Sequence, residues 1–401
     1  MEFVAQHPVL VVSIVKIVVL LFLLLTTLAY LTWFERKVVA HIQSRWGPYF
    51  VGPHGLLQPL ADGLKFLFKE DLLPPGTDRF IYLLAPFLAL SLALTTIALI
   101  PFGPATIHIF GQPTGLVVAN VDISLLFVFA ITSIGVYGVA LAGWSSNSKY
   151  PLLGGLRSAA QMISYEVSLT LSVVGVLLLA NSLSLSEIIQ GQHGYWYKVI
   201  PRWHFIPQIV GLLCYFSAAI AETNRAPFDL AEAESELVAG FHTEYSSFKF
   251  AMFFMAEYAN MVTVSCLATI LFFGGWLSPF PDSWTWTHYF PTVVFGAGGI
   301  LLLQDGMRHH RGFGRVALLV LSVVMILLAM ACGQPGLIDI VQGPFWFLLK
   351  VLLLLFFYVW VRGTLPRFRY DQLMNFGWKF LLPLSLANLL VTSFVVLVLQ
   401  R

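Results

Sequence analysis

The chain has 401 residues, of which 58% are hydrophobic and 10% charged, with a formal net charge of +2. An average soluble protein carries roughly 25% charged residues, so this composition excludes a water-soluble globular domain and leaves room for roughly eight to ten membrane spans. Cys214, Cys266 and Cys332 lie far apart in apolar runs, so no zinc or iron–sulfur cluster is expected on this chain.

In chain order, helix-length apolar segments fall at about 9–33, 80–101, 123–143, 162–181, 206–221, 250–273, 345–361 and 380–399. A shorter pair lies at about 290–303 and 316–332. Residues 1–15 carry no Lys or Arg and the first run leads straight into Glu35-Arg36-Lys37, so no cleavable signal peptide is expected. The loops at 34–79, 144–161, 222–249 and 362–379 hold most of the basic residues, while the opposite side has only Lys198, Arg202 and Arg401. The positive-inside rule then places both termini away from the cytoplasm. If the weaker pair also spans, Arg308, Arg311 and Arg315 join the basic side, which agrees with the rule. The expectation is an all-α integral membrane protein forming one polytopic domain over 1–401. No nucleotide-binding glycine motif is present, so any redox cofactor belongs to a partner, and nothing points to nucleic acid.

The first basic loop repeats Leu56, Leu57, Leu60, Leu64 and Leu67 at helical spacing, with Gln58, Asp62, Lys65 and Lys69 mostly off that face. This predicts an amphipathic interfacial helix, either a plain membrane-surface element or one bordering an opening for a lipid-soluble ligand. His41 and His54 are read as ordinary loop histidines, and Lys16 and Lys350, near span ends, as snorkelling.

Between two apolar segments lies ETNRAPFDLAEAESELVAGFHTEY (222–245), which gathers Glu222, Asp229, Glu232, Glu234, Glu236 and Glu244 around Arg225. Pro227 can open a helix, which would set Glu232, Glu236 and Glu244 on one face. Such a cluster is either a solvated acidic loop or a set of coupled, proton-passing carboxylates. Glu257, about 12 Å into the next span at 1.5 Å per residue, and Glu166, near the basic-side start of its span, favour the second reading. In the last basic loop Arg362, Arg367 and Arg369 lie near Asp371; they suit a surface gripping another subunit or a simple positive anchor.

Four stretches, ERKVVAHIQSRWGP (35–48), GLLQPLADGLKFLFKED (55–71), 222–245 and WVRGTLPRFRYDQLM (360–374), resemble the H-type membrane subunit of NADH-quinone oxidoreductase, the NADH dehydrogenase subunit one family. The resemblance implies a complex I subunit with eight family-type helices, to which residues 276–340 add an inserted two-helix hairpin. It further implies a quinone chamber involving Glu35, Arg36, Asp62, Lys65 and Arg225. A proton channel would use Glu166, Glu222, Asp229, Glu232, Glu234, Glu236, Glu244 and Glu257. Quinone is then the substrate, with NADH, FMN and the iron–sulfur clusters carried by hydrophilic partner subunits. Small and antiporter-like membrane subunits would complete the assembly in a bacterial inner membrane. The alternative by resemblance is the membrane anchor of a proton-linked hydrogenase.

Overall fold

The computed structural model describes residues 8–104, 106–109, 112–229, 238–281, 283–308 and 312–399. Nine helices among them are long and apolar enough to cross a membrane. The long elements are α1 (Pro8–Ile42), α3 (Arg79–Ile97), α4 (Ser124–Ser145), α5 (Lys149–Ala180), α8 (Ser247–Phe272), α9 (Phe290–Arg308), α10 (Phe313–Cys332), α11 (Pro335–Thr364) and α13 (Leu382–Leu399). A π-turn at Phe376–Leu381 joins α13 to the short α12 (Tyr370–Asn375). Shorter helices are α2 (Gln58–Phe68), α6 (Leu185–Gly191) and α7 (Ile209–Glu222). Two small antiparallel hairpins, Thr106–Ile109 with Gln112–Gly115 and Tyr195–Trp196 with Ile200–Pro201, decorate the face opposite the basic loops.

The predicted segments all become helices, with two differences that matter. Helix α1 runs on to Ile42, which lifts Glu35 and Arg36 out of a loop and onto a helix. Helix α5 begins at Lys149 rather than near 162. Its first turns escaped the hydropathy reading because they carry Gly154, Gly155 and Ser158, which protein rather than lipid buries. Gly154 passes so close to the turn Gly240–His242 that a Cβ there would stand 2.8 Å from Gly240 backbone atoms.

Helix α7 has 14 residues, about 21 Å of rise, shorter than a hydrocarbon core of roughly 30 Å. It runs antiparallel to α5 and α8. Near its start Phe205 N–H donates to Phe272 O (3.0 Å), midway Tyr215 Oη donates to Val264 O (2.9 Å), and near its end Gln161 Nε2 donates to Ala221 O (2.7 Å). The core lies here: most of α8 is buried, including Met261, Val262 and the run from Val264 to Phe272.

Helices α9 and α10 pack on one another as an antiparallel hairpin, with Gly299 seated so closely that a Cβ there would stand 3.2 Å from Ser322 O. At the opposite face an aromatic cluster ties the entry of α9 to α11, with Phe290 stacked on Trp346 at 5.2 Å and Phe280 edge-on to Trp346 at 5.7 Å. Such belts mark membrane interfaces. Both span lysines end on backbone carbonyls of segments beyond the neighbouring helix ends. Lys350 Nζ donates to Phe273 O, Gly275 O and Leu277 O at 2.8, 2.9 and 2.6 Å, and Lys16 Nζ donates to Val117 O at 2.9 Å.

Candidate functional site

Helices α1, α8 and α11 and the segment after α7 converge on a buried ionic cluster. Glu35 of α1 is 4% exposed and Arg225 is 7% exposed. The Glu35 carboxylate accepts from Tyr258 Oη at 2.6 Å, pairs with Arg362 of α11, and lies 3.7 Å from Arg225 Nη1. Arg225 reaches Glu257 of α8 at 3.6 Å and lies over the Tyr258 ring at 4.2 Å from its centroid. Two carboxylates thus face two guanidiniums. Compensation of this kind is what makes buried charge tolerable, and removing one member is costly. The cation–π contact adds to the hold on Arg225.

Arg225 is placed by its own loop. Gln161 of α5 donates from Nε2 to both Ala221 O (2.7 Å) and Phe228 O (2.8 Å), cinching 221–228 into a tight bend. Asn224, in left-handed backbone (φ 49), donates to Ser158 Oγ at 2.9 Å. Asp229 lies just beyond and pairs with Arg367 at 3.2 Å.

On the basic face α2 stands beside α1. Arg36 Nη1 meets Asp62 Oδ2 at 2.6 Å, and Gln58 Nε2 donates to the other oxygen at 2.9 Å. Its leucines Leu60, Leu64 and Leu67 are exposed, as an amphipathic interfacial helix requires. Lys65 is also exposed.

Behind the ionic cluster, towards the middle of the bundle, Glu222 lies at the end of α7 with one carboxylate oxygen buried and without a hydrogen-bond partner among the described residues. It lines a cavity of about 40 Å³ together with Glu257, Asn260, Thr132 and Thr223. A second cavity of about 20 Å³ shares Glu222, Thr132, Thr223 and Asn260 and continues to Tyr215 and Thr263. Both exceed the roughly 10–15 Å³ that a cavity needs to hold a water. Glu166 of α5 is close enough to Glu222 for their charges to repel, and its carboxylate accepts from Ser133 Oγ of α4. Tyr358 of α11 also interacts electrostatically with Glu222. The arrangement can hold, share and pass protons between acidic side chains.

The structure brings together Glu35, Arg225, Glu257 and Arg362, and groups Glu222 with Glu257 and Glu166. Two expected placements change. Glu166 lies 17 residues into α5, about 25 Å from its start, because that helix begins earlier than hydropathy indicates. Glu244 is not on a helix with the preceding acidic residues: Val238 (φ 66) and Gly240 (φ 58) are left-handed and break the register. Its carbonyl instead accepts from Tyr82 Oη at 2.7 Å. Glu232, Glu234 and Glu236 lie outside the described residues. Of the last loop, Arg362 pairs with Glu35 although its side chain is 37% exposed, and Arg367, Arg369 and Asp371 are exposed as well. Tyr258, Gln161, Asn260 and Tyr358 were not singled out from sequence. Only the spacing of Asn260 one turn after Glu257 hinted at a shared face.

A model of the NADH dehydrogenase family matches residues 15–393. The chain belongs to this family. An H-type NADH-quinone oxidoreductase subunit of Solibacter usitatus is 51% identical over 389 residues, covering 96% of each chain. Its counterpart in Koribacter versatilis, of the same H type, is 51% identical over 399 residues, 96% of this chain and 97% of its own. The H-type subunit of Thermomicrobium roseum is 44% identical over 380 residues, 94% of each. Family membership and the apolar helices together make this a multi-pass membrane protein.

Proposed function

We propose that this chain is the membrane subunit of a proton-translocating NADH-quinone oxidoreductase that bounds the quinone chamber and begins the proton path. Family membership and relatives named as H-type NADH-quinone oxidoreductase subunits support the assignment to such a complex. The observation that carries the coupling role is the ionic link Glu35–Arg225–Glu257, together with the cavity that Glu257 and Glu222 both line.

In this reading the quinone headgroup enters between α2 and the 221–229 bend. Hydrophilic partner subunits, which carry the NADH, FMN and iron–sulfur chemistry, supply the electrons and dock on the exposed basic face around Arg367, Arg369 and Asp371. Electrons arriving on the quinone make the chamber more negative until protons follow. Arg225 and Arg362 respond first, because each is shared between that chamber and Glu35 or Glu257. A guanidinium drawn towards the chamber leaves its carboxylate less neutralised, which raises that carboxylate's affinity for a proton. Glu257 passes the change to Glu222 across the cavity they both line, and Glu166, Glu244 and the acidic residues Asp229, Glu232, Glu234 and Glu236 extend the proton reservoir. Small and antiporter-like membrane subunits receive the signal. The host is a bacterial inner membrane, with both termini on the periplasmic side.

Isolation of the native complex in mild detergent tests the reading. Inhibitor-sensitive, NADH-dependent quinone reduction by a large assembly containing this chain is expected. An assembly that oxidises hydrogen or formate and ignores quinone would overturn the chamber assignment.

A further inference from the structure

The turn that leads into α2 is folded tightly. Gly52 and Gly55 are left-handed (φ 74 and 77), and a Cβ at Gly55 would stand 2.5 Å from Pro48 O. His54 between them is left-handed as well, at φ 52, a conformation that costs a non-glycine residue of order 1 kcal/mol or more unless its surroundings enforce it. Contacts from three neighbouring elements help to do so. Trp33 Nε1 of α1 donates to His54 O at 3.2 Å, and the Tyr49 ring meets the imidazole edge-on at 5.9 Å. The third comes from the α9–α10 hairpin: Asp305 Oδ2 lies 2.6 Å from His54 Nε2. Helix α10 packs against the same turn.

We propose that the hairpin is a positioning element for the quinone entrance, with Asp305 fixing His54 and so the pose of α2 against α1. This inference depends on the quinone reading above. The pair lies at the rim, with His54 and Asp305 side chains 40% and 28% exposed, whereas the charges facing the chamber, Glu35 and Arg225, are buried. Beyond the turn, α2 presents Leu60, Leu64, Leu67 and Phe68 outward, an apolar strip along which a hydrocarbon tail passes. The ligand feature governed by this contact is therefore the isoprenoid tail, not the headgroup.

The test compares long-tailed and short-tailed quinones in proteoliposomes containing the whole complex. Asp305→Ala removes the acceptor; His54→Asn keeps a residue type that tolerates left-handed backbone but is too short to reach Asp305. Each single variant is expected to raise KM for the long-tailed quinone about threefold to tenfold, the factor one lost hydrogen bond carries, with kcat and the short-tail KM unchanged. The swap H54D/D305H restores the contact and the wild-type KM. Equal KM shifts for both quinones, no shift at all, or a swap no better than the singles would overturn the inference. A wild-type complex that reduces neither quinone would instead overturn the functional reading on which it depends.

Discussion

At the scale of single residues, burial decides which charges matter. Arg36 and Asp62 form a short pair, but their side chains are 52% and 29% exposed, so solvent screening limits the pair to at most about 1 kcal/mol. Glu35, by contrast, neutralises two guanidiniums from a site 4% exposed. Glu35→Gln is expected to destabilise the subunit by about 3 kcal/mol, since it leaves the buried Arg225 with Glu257 alone, and to deplete the assembled complex on native gels. Arg36→Ala leaves assembly at wild-type levels on the same gels, and equal assembly of both variants would contradict this ranking. Charge in an apolar chain is conspicuous, so Arg225, Glu257 and Arg362 stood out in the sequence, whereas Glu35 entered only through the family resemblance. Gln161 and Tyr258 stayed hidden because one grips backbone carbonyls and the other sits in an apolar helix, and neither use has a periodic signature.

At the scale of elements, the small residues of α5 set how closely the helices approach. Gly154 lies against the Gly240 backbone, so Gly154→Ala must push the Gly240–His242 turn away and is expected to cost about 1–3 kcal/mol. Gly63 on the exposed α2 has no atom within 4 Å of an added Cβ, so Gly63→Ala is neutral or stabilising by up to about 1 kcal/mol through helix propensity. Thermal midpoints of the two assembled variants check the pair; a Gly154→Ala midpoint at or above that of Gly63→Ala would refute the close-packing account. The same glycines explain why hydropathy misplaced the start of α5. Protein-buried small residues contribute little apolar signal, although they bury as fully as leucines. The two β-hairpins escaped because each is brief and lies in loops that carry no alternating pattern long enough to read.

At the scale of the whole molecule, the order and spacing of the apolar runs were legible, since lipid demands long continuous helices. The α9–α10 pair also emerged from its apolar runs, and its contact with His54 puts the α9 end on the same face as loop 34–79, as the charge rule expects. What the pattern could not supply was convergence. Glu35, Arg225, Glu257 and Arg362 are scattered over more than three hundred residues, and only the packing of α1, α8 and α11 around the 221–229 bend assembles them. The resulting line of charge ends at Glu222, where buried carboxylate, cavity and neighbouring Glu166 coincide. Simultaneous recording of NADH-dependent quinone reduction and proton uptake by the Glu222→Gln complex in sealed proteoliposomes tests that line most directly. Both rates are predicted to fall together by about tenfold, equivalent to roughly 1.4 kcal/mol of barrier, in a complex assembled at wild-type levels. Wild-type turnover with undiminished proton uptake would contradict it.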